Sequence, residues 1–116
     1  MDIKKITDKF SVTPQITPDE IDAIKETGFK AIICNRPDGE GPDQPTFEEI
    51  ETAAKKAGLE VAYVPVQSGM VRDEDVEAFG AALKDLPRPV LGYCRTGTRS
   101  ATLWSLHEAK KRSRPA

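Results

Sequence analysis

Cys94 is followed by Arg95-Thr96-Gly97-Thr98-Arg99-Ser100, a set of residue types that builds an anion cradle around a thiolate. An ordinary thiol titrates near about 8.5, and a helix N-terminus or neighbouring cations bring it down to roughly 3.5–7.5. Both are on offer here. Backbone N–H groups of residues 95–100 can curl around a central anion, and the helix that follows points its positive end at the same place. Arg99 adds a permanent charge with a forked donor geometry that suits tetrahedral anions. Arg95 adds a second cation for an anionic substrate. Gly97 allows a left-handed backbone within the ring, and Thr96, Thr98 and Ser100 supply amides and hydroxyls to a thiolate or a bound oxyanion. The plainer alternative, a buried cysteine ending a strand, leaves the glycine, arginines and hydroxyls unexplained.

Other chemistries fit poorly. A nucleotide-type phosphate loop needs Gly-Lys-Ser/Thr, which is missing. One histidine, His107, and two distant cysteines give no metal-ligand spacing, so no metal or cofactor is expected. His107 reads as a surface or helix-end residue. Cys34 reads as a small buried hydrophobe, with a resolving thiol that takes sulfur from Cys94 as the alternative.

The elements that must position Cys94 alternate strand and helix. Phe10 to Thr13 reads as a short strand. Thr17-Pro18-Asp19-Glu20 is a helix start, with Thr17 as N-cap, Pro18 at the first position and Glu20 completing a capping box. That helix runs to Thr27, and Gly28 stops it. Phe29 to Cys34 is an apolar run, a buried strand, and residues 35–42 are turn chemistry. Thr46-Phe47-Glu48-Glu49 opens a second helix that closes at Gly58. Leu59 to Val66 is a third strand, and a third helix covers Arg72 to Leu86. Val90 to Tyr93 is the strand that delivers Cys94. Ser100 to Lys111 is the last helix, with Leu103, Leu106 and Trp104 turned inward.

This rhythm predicts a single α/β domain over residues 1–116, three-layered, with a central, mostly parallel sheet. Ligands bind such sheets at the carboxyl ends of the strands, which is where Cys94 falls. Arg36 and Asp38 follow the second predicted strand and reach the same edge, as pocket-lining candidates. The chain has 116 residues, 31% of them charged and 38% hydrophobic, with a net charge of −2. No basic stripe for nucleic acid appears, and the Lys110–Arg114 run reads as a solvated helix end. No secretory signal or membrane-length apolar run is present. Two cysteines far apart are not a disulfide framework and suit a reducing cytoplasm.

Residues 93–100 resemble the active loop of rhodanese-like sulfurtransferases, Cys-x-x-Gly-x-Arg-Ser. The surrounding chain is similar to small dual-specificity phosphatases: Gly28-Phe29-Lys30-Ala31-Ile32-Ile33, then Asn35-Arg36-Pro37-Asp38-Gly39-Glu40, then Tyr63-Val64-Pro65-Val66. The combination, over Lys4 to His107, resembles the phosphatase-like domain of beta-lactamase-hydrolase-like proteins. That resemblance implies a tyrosine-phosphatase-like fold with Cys94 as nucleophile.

Two departures bear on the reaction. Four residues separate Cys94 from Arg99, as in rhodaneses and one fewer than in cysteine phosphatases. Those phosphatases also carry an aspartate general acid after the strand matching Val61 to Val66, where this chain has Gln67-Ser68-Gly69. Neither Asp73 nor Asp38 holds that position. General acid catalysis is worth roughly 10²–10⁴-fold, whereas sulfur transfer needs no acid, because sulfite or a low-pKa thiolate leaves without a proton. The expectation is therefore a cytoplasmic sulfurtransferase. It takes sulfane sulfur from a small anionic donor such as thiosulfate or a persulfide, holds it as a Cys94 persulfide and passes it to a thiol acceptor. The enzymatic alternative is a cysteine-dependent phosphatase acting on a phosphoester. The non-enzymatic one is an anion- or persulfide-binding module. No nucleic-acid or membrane partner is expected. Phosphatase folds often add helices beyond this length, which predicts a thinly covered sheet face that a partner, including a second copy of the chain, could cover.

Overall fold

The computed structural model describes residues 1–113 and shows one α/β domain. Arg114, the end of the basic run, lies outside the described residues. The elements in chain order are β1 (Lys4–Lys5), β2 (Phe10–Thr13), a 3-10 turn (Pro18–Glu20) leading into α1 (Ile21–Thr27), β3 (Ala31–Cys34), α2 (Phe47–Lys56), β4 (Glu60–Tyr63), α3 (Asp73–Asp85), β5 (Val90–Tyr93) and α4 (Thr98–Ser113).

Local signals set most of these boundaries. Glu20 accepts the Thr17 backbone N–H at 2.9 Å, and Glu49 accepts that of Thr46 at 3.1 Å while Thr46 Oγ1 accepts the Glu49 N–H. Each pairing satisfies donors that a helix start leaves unpaired. Gly28 ends α1 in a left-handed conformation, at φ 112°, a region where a Cβ would be strained.

The five strands run in the order β1-β2-β5-β3-β4, parallel except for the β1–β2 pair. The register aligns Thr13, Tyr93, Cys34 and Tyr63 across the sheet. One step further along the chain, Cys94 and Asn35 therefore emerge side by side at one edge.

Two cores flank the sheet. Phe10, Val12, Ala31, Ile33 and Val90 pack with Val76, Phe79 and Leu83 of α3 and Leu103 of α4. Ile32, Cys34, Leu91 and Tyr93 pack with Ile21 and Ile24 of α1 and Ile50 and Ala54 of α2. Alternate residues of β3 and β5 thus serve opposite faces. Each face carries a helix pair, so the expected thinly covered face is not found.

Other expectations need correction. Leu106 is 41% exposed rather than inward. The inward stripe of α4 runs through Leu103 and Trp104, whose indole stacks on Phe10 at 4.8 Å between ring centroids. Helix α4 begins two residues earlier than expected. Strand β4 is shorter, because Pro65 has no N–H for the ladder; the chain still tracks β3, as Val64 N–H donates to Cys34 O and Val66 N–H to Asn35 O. Among the described residues no helix is long and apolar enough to cross a membrane.

Candidate active site

Strand β5 is buried throughout and delivers Cys94 to the sheet edge with no exposed surface of its own. The chain then turns through Arg95 and Thr96 to Gly97, which takes φ 89°. This left-handed step, open to glycine, aims the Gly97 N–H at the Cys94 sulfur, 3.0 Å away. Helix α4 starts at the next residue, which sets the positive end of its dipole beside the loop, while the Thr98 N–H itself turns to Thr96 Oγ1 at 3.4 Å. The N–H of Gln15, beyond the end of β2, donates to Arg95 O at 3.2 Å and fastens the loop to its neighbour strand.

Arg99 is 8% exposed and fully engaged on one edge. Its Nη1 donates to Glu40 Oε2 at 2.8 Å and to Val66 O at 2.9 Å, and its Nη2 donates to Glu40 Oε1 at 2.7 Å. A guanidinium has five N–H donors. Three are committed, which leaves Nε and the second Nη2 hydrogen for the Cys94 sulfur, with which Arg99 interacts, and for an anion above it. The hydrogen bonds that Arg99 donates to Glu40 hold the guanidinium proton more tightly than usual. Conversely, Arg99 first, with Arg36 in support, holds the Glu40 carboxyl below its ordinary range.

Arg36 belongs to the same cluster. Its Nε donates to Glu40 Oε1 at 3.0 Å and its Nη1 to Gln15 Oε1 at 3.0 Å. Arg36, Glu40, Arg95 and Arg99 line one cleft of about 760 Å³, together with Asp43, Gln67 and Ser68. Ser68, Arg95, Thr96, Thr98 and Arg99 line a second hollow on the other side of the loop.

Two candidate residues take other work. Ser100 is fully buried, and its single hydroxyl hydrogen goes to Asn35 Oδ1 at 2.8 Å. The hydroxyl hydrogen is therefore not aimed at Cys94, in contrast to the hydroxyl contact that was expected. Asp38 does not line the cleft. Its Oδ1 accepts the N–H of Phe47 at 2.8 Å, capping α2, while its own N–H donates to the Tyr63 hydroxyl. A carboxylate at a helix N-terminus is satisfied there by both hydrogen bond and dipole. Thr96 Oγ1 donates to Thr98 Oγ1 at 3.0 Å, so this exposed pair buttresses the loop.

Glu40 and Asn35 are the residues that brace the site and that spacing alone did not single out. A carboxylate four residues after Arg36 was the available signal for the first, and a polar residue straight after an all-apolar strand for the second. Cys34 is buried, its thiol donates to Arg36 O at 3.3 Å, and burial pushes its pKa up. His107 packs its ring against Gly80 between α3 and α4, away from the loop. Among the described residues no group of His, Cys, Asp and Glu is arranged to hold a metal ion.

Residues 2–111 match the family described as Beta-lactamase hydrolase-like protein, phosphatase-like domain. The chain belongs to this family. The beta-lactamase hydrolase-like protein of Xylella fastidiosa is 35% identical over 108 residues, which are 93% of this chain and 25% of that protein. The chain thus spans a quarter of the length of that relative. Among solved structures, a Neisseria meningitidis protein described as a candidate phosphatase is similar with a TM-score of 0.88 and 37% identity, over 99% of this chain and 81% of that one. The core catalytic domain of the yeast (S. cerevisiae) PP-IP phosphatase SIW14 has a TM-score of 0.67 at 16% identity, over 87% and 61%, a likeness of fold alone. The chain is thus a phosphatase-like domain on a cysteine-based phosphatase fold, and sulfur transfer, the reaction expected from the loop spacing, is not shown by these relatives.

Proposed function

We propose that this phosphatase-like domain is a cysteine-dependent phosphomonoester hydrolase. The observation that carries the reading is Arg99: a Glu40 carboxylate and the Val66 carbonyl lock its far edge, so that its remaining donors are presented beside the Cys94 sulfur. A preorganised guanidinium of this kind stabilises the charge on a transferring phosphoryl group without reorganising during the reaction. Cys94 attacks phosphorus, the ester oxygen leaves, and water then cleaves the phosphocysteine. The cleft is lined by polar side chains and prolines with no aromatic ring, which suits a small phosphoester with a polar body.

Phosphate release from a panel of small phosphomonoesters, wild type against Cys94→Ser, tests the reading. Turnover that disappears with the thiol supports it; turnover indifferent to the substitution rejects it.

Sulfur transfer is the second reading, and the four-residue gap favours it. Its signature is extra sulfur on Cys94 in the intact mass after exposure to thiosulfate or glutathione persulfide. Anion binding that survives in Cys94→Ser, with neither activity in the wild type, would instead mark a binding module.

A further inference from the structure

Phosphoryl transfer from an alcohol needs a proton for the departing oxygen, and the segment after β4 offers only Gln67, Ser68 and Gly69. The cleft that Arg95 and Arg99 of the loop line contains two carboxylates, Glu40 and Asp43. The hollow on the opposite side of the loop contains none. Glu40 cannot serve as the donor. Both of its oxygens accept guanidinium hydrogens, from Arg99 and Arg36, and protonating it would break the pair that fixes Arg99.

Asp43 differs in each respect. It is exposed, and no hydrogen bond or ion pair holds its carboxyl among the described residues. Its position is nevertheless fixed. It is the third residue of a turn closed by the Gln44 N–H to Gly41 O contact at 3.4 Å. The Gln44 side chain ties that turn down twice, accepting the Gly41 N–H at 3.1 Å and donating to Pro37 O at 2.9 Å. Gly41 lies so close to Arg36 that a Cβ there would come within 2.8 Å of Arg36 Nη2. The turn is thereby docked on the same arginine cluster that holds Arg99, with a carboxyl left over at the cleft.

We propose that Asp43 is the general acid, supplied from the loop after β3 instead of the loop after β4; this rests on the phosphoester reading. In the first step the Cys94 thiolate forms the S–P bond, the P–O bond breaks, and the Asp43 carboxyl gives its proton to the leaving oxygen. In the second, water attacks phosphorus, the S–P bond breaks, the Asp43 carboxylate takes the water proton, and the thiolate is restored.

The test compares kcat/KM for phenyl phosphate and 2,4-dinitrophenyl phosphate, two aryl monoesters that differ widely in leaving-group basicity, in wild type, Asp43→Asn and Cys94→Ser, each variant as its ratio to wild type. Loss of an acid should cost Asp43→Asn about 10²-fold or more on phenyl phosphate, and only a few-fold on the dinitrophenyl ester, which leaves without a proton. Asp43 is exposed, so the variant should fold as the wild type does. Equal losses on the two esters, or none on either, overturn the assignment of Asp43 while Cys94→Ser remains inactive. A Cys94→Ser protein as active as wild type overturns the phosphoester reading itself.

Discussion

Glu40 and Arg99 meet through two parallel hydrogen bonds, Nη1 to Oε2 at 2.8 Å and Nη2 to Oε1 at 2.7 Å, although 59 positions separate them in sequence. The pair joins the loop after β3 to the first turn of α4. It also decides which edge of the guanidinium faces Cys94. A bidentate pair fixes orientation as well as charge, so Glu40 acts on the site as a positioning residue.

Glu40→Gln tests that role. Glutamine keeps the length but offers one acceptor, and it turns an amide N–H₂ toward a cation. The guanidinium then loses its fixed orientation, and a misplacement on the scale of an ångström is enough to cost about 10²-fold in kcat/KM. Stability should fall by only about 1–2 kcal/mol, since the carboxylate retains contact with solvent. The pH dependence has a definite sign. Glu40 has its carboxyl pKa depressed in the folded state, so its contribution is present above the unfolded value of about 4.3 and is lost as pH falls through the folded value. Thermal unfolding below about pH 4 should therefore be steeper in wild type than in Glu40→Gln. Identical acid limbs would show that the pair does nothing for the fold.

The two thiols should separate cleanly in their reactivity. Burial raises the Cys34 pKa, and its hydrogen is directed to Arg36 O. Cys94 accepts the Gly97 N–H and lies beside Arg99. Iodoacetamide at neutral pH should alkylate Cys94 first, and peptide mapping should find Cys34 unmodified until the protein is denatured. Phosphate or sulfate, seated over the loop, should slow the Cys94 reaction. Labelling of Cys34 ahead of Cys94 would contradict the geometry.

The parts of this architecture written in neighbouring residues were legible in sequence. The Cys94–Ser100 loop, the glycine that stops α1 and the two Thr-x-x-Glu helix starts depend on contacts within a few positions. The Glu40–Arg99 pair does not. The spacing of Glu40 from Arg36 hints at the local pair, but nothing near Glu40 points to Arg99 until β3 and β5 are paired in register. The inward face of α4 failed for a similar reason. Leu103, Trp104 and Leu106 all fit a helical period, but only the stacking of Phe10 on Trp104 rotates the stripe away from Leu106. Strand β1 is two exposed lysines with no alternation to read, and it exists because β2 offers its backbone edge. Ser100 looked like an anion donor from spacing alone, and the Asn35 acceptor that takes its hydrogen arrives from a different strand.

Gly97→Ala should impair the site more than the fold. A methyl group at φ 89° is strained by roughly 1–2 kcal/mol, although the space beside it is ordinary, with the Thr13 backbone at 3.4 Å as the nearest contact. The loop can relieve that strain by rotating the peptide, which turns the 97 N–H away from the Cys94 sulfur. The expected result is a modest fall in Tm together with a loss of Cys94 alkylation rate and of turnover. Full turnover with an unchanged Tm would mean that the amide does not support the thiolate.

Asn35→Ala should do the reverse and strike the fold first. Asn35 has no exposed surface, and its backbone N–H donates to Tyr93 O. Its side chain links three elements: Nδ2 donates to Val64 O beyond β4 at 2.9 Å, and Oδ1 accepts the Ser100 hydroxyl of α4 at 2.8 Å. Truncation deprives a buried hydroxyl and a buried carbonyl of their partners, at about 1–3 kcal/mol for each group left unsatisfied. A total near 3 kcal/mol corresponds to a fall in Tm of roughly 10–20 °C for a domain of this size. Asn35→Asp keeps the acceptor for Ser100 but loses the donor to Val64 O and buries a charge, so it should be no better. Ser100→Ala removes only the hydroxyl and leaves Asn35 Oδ1 as the single orphan, so it should cost about half as much. Combined with Asn35→Ala it should add little, because the two residues share one hydrogen bond. Additive losses in the double variant would show that Ser100 has a partner other than Asn35, and would return its hydroxyl to consideration as a donor at the thiolate.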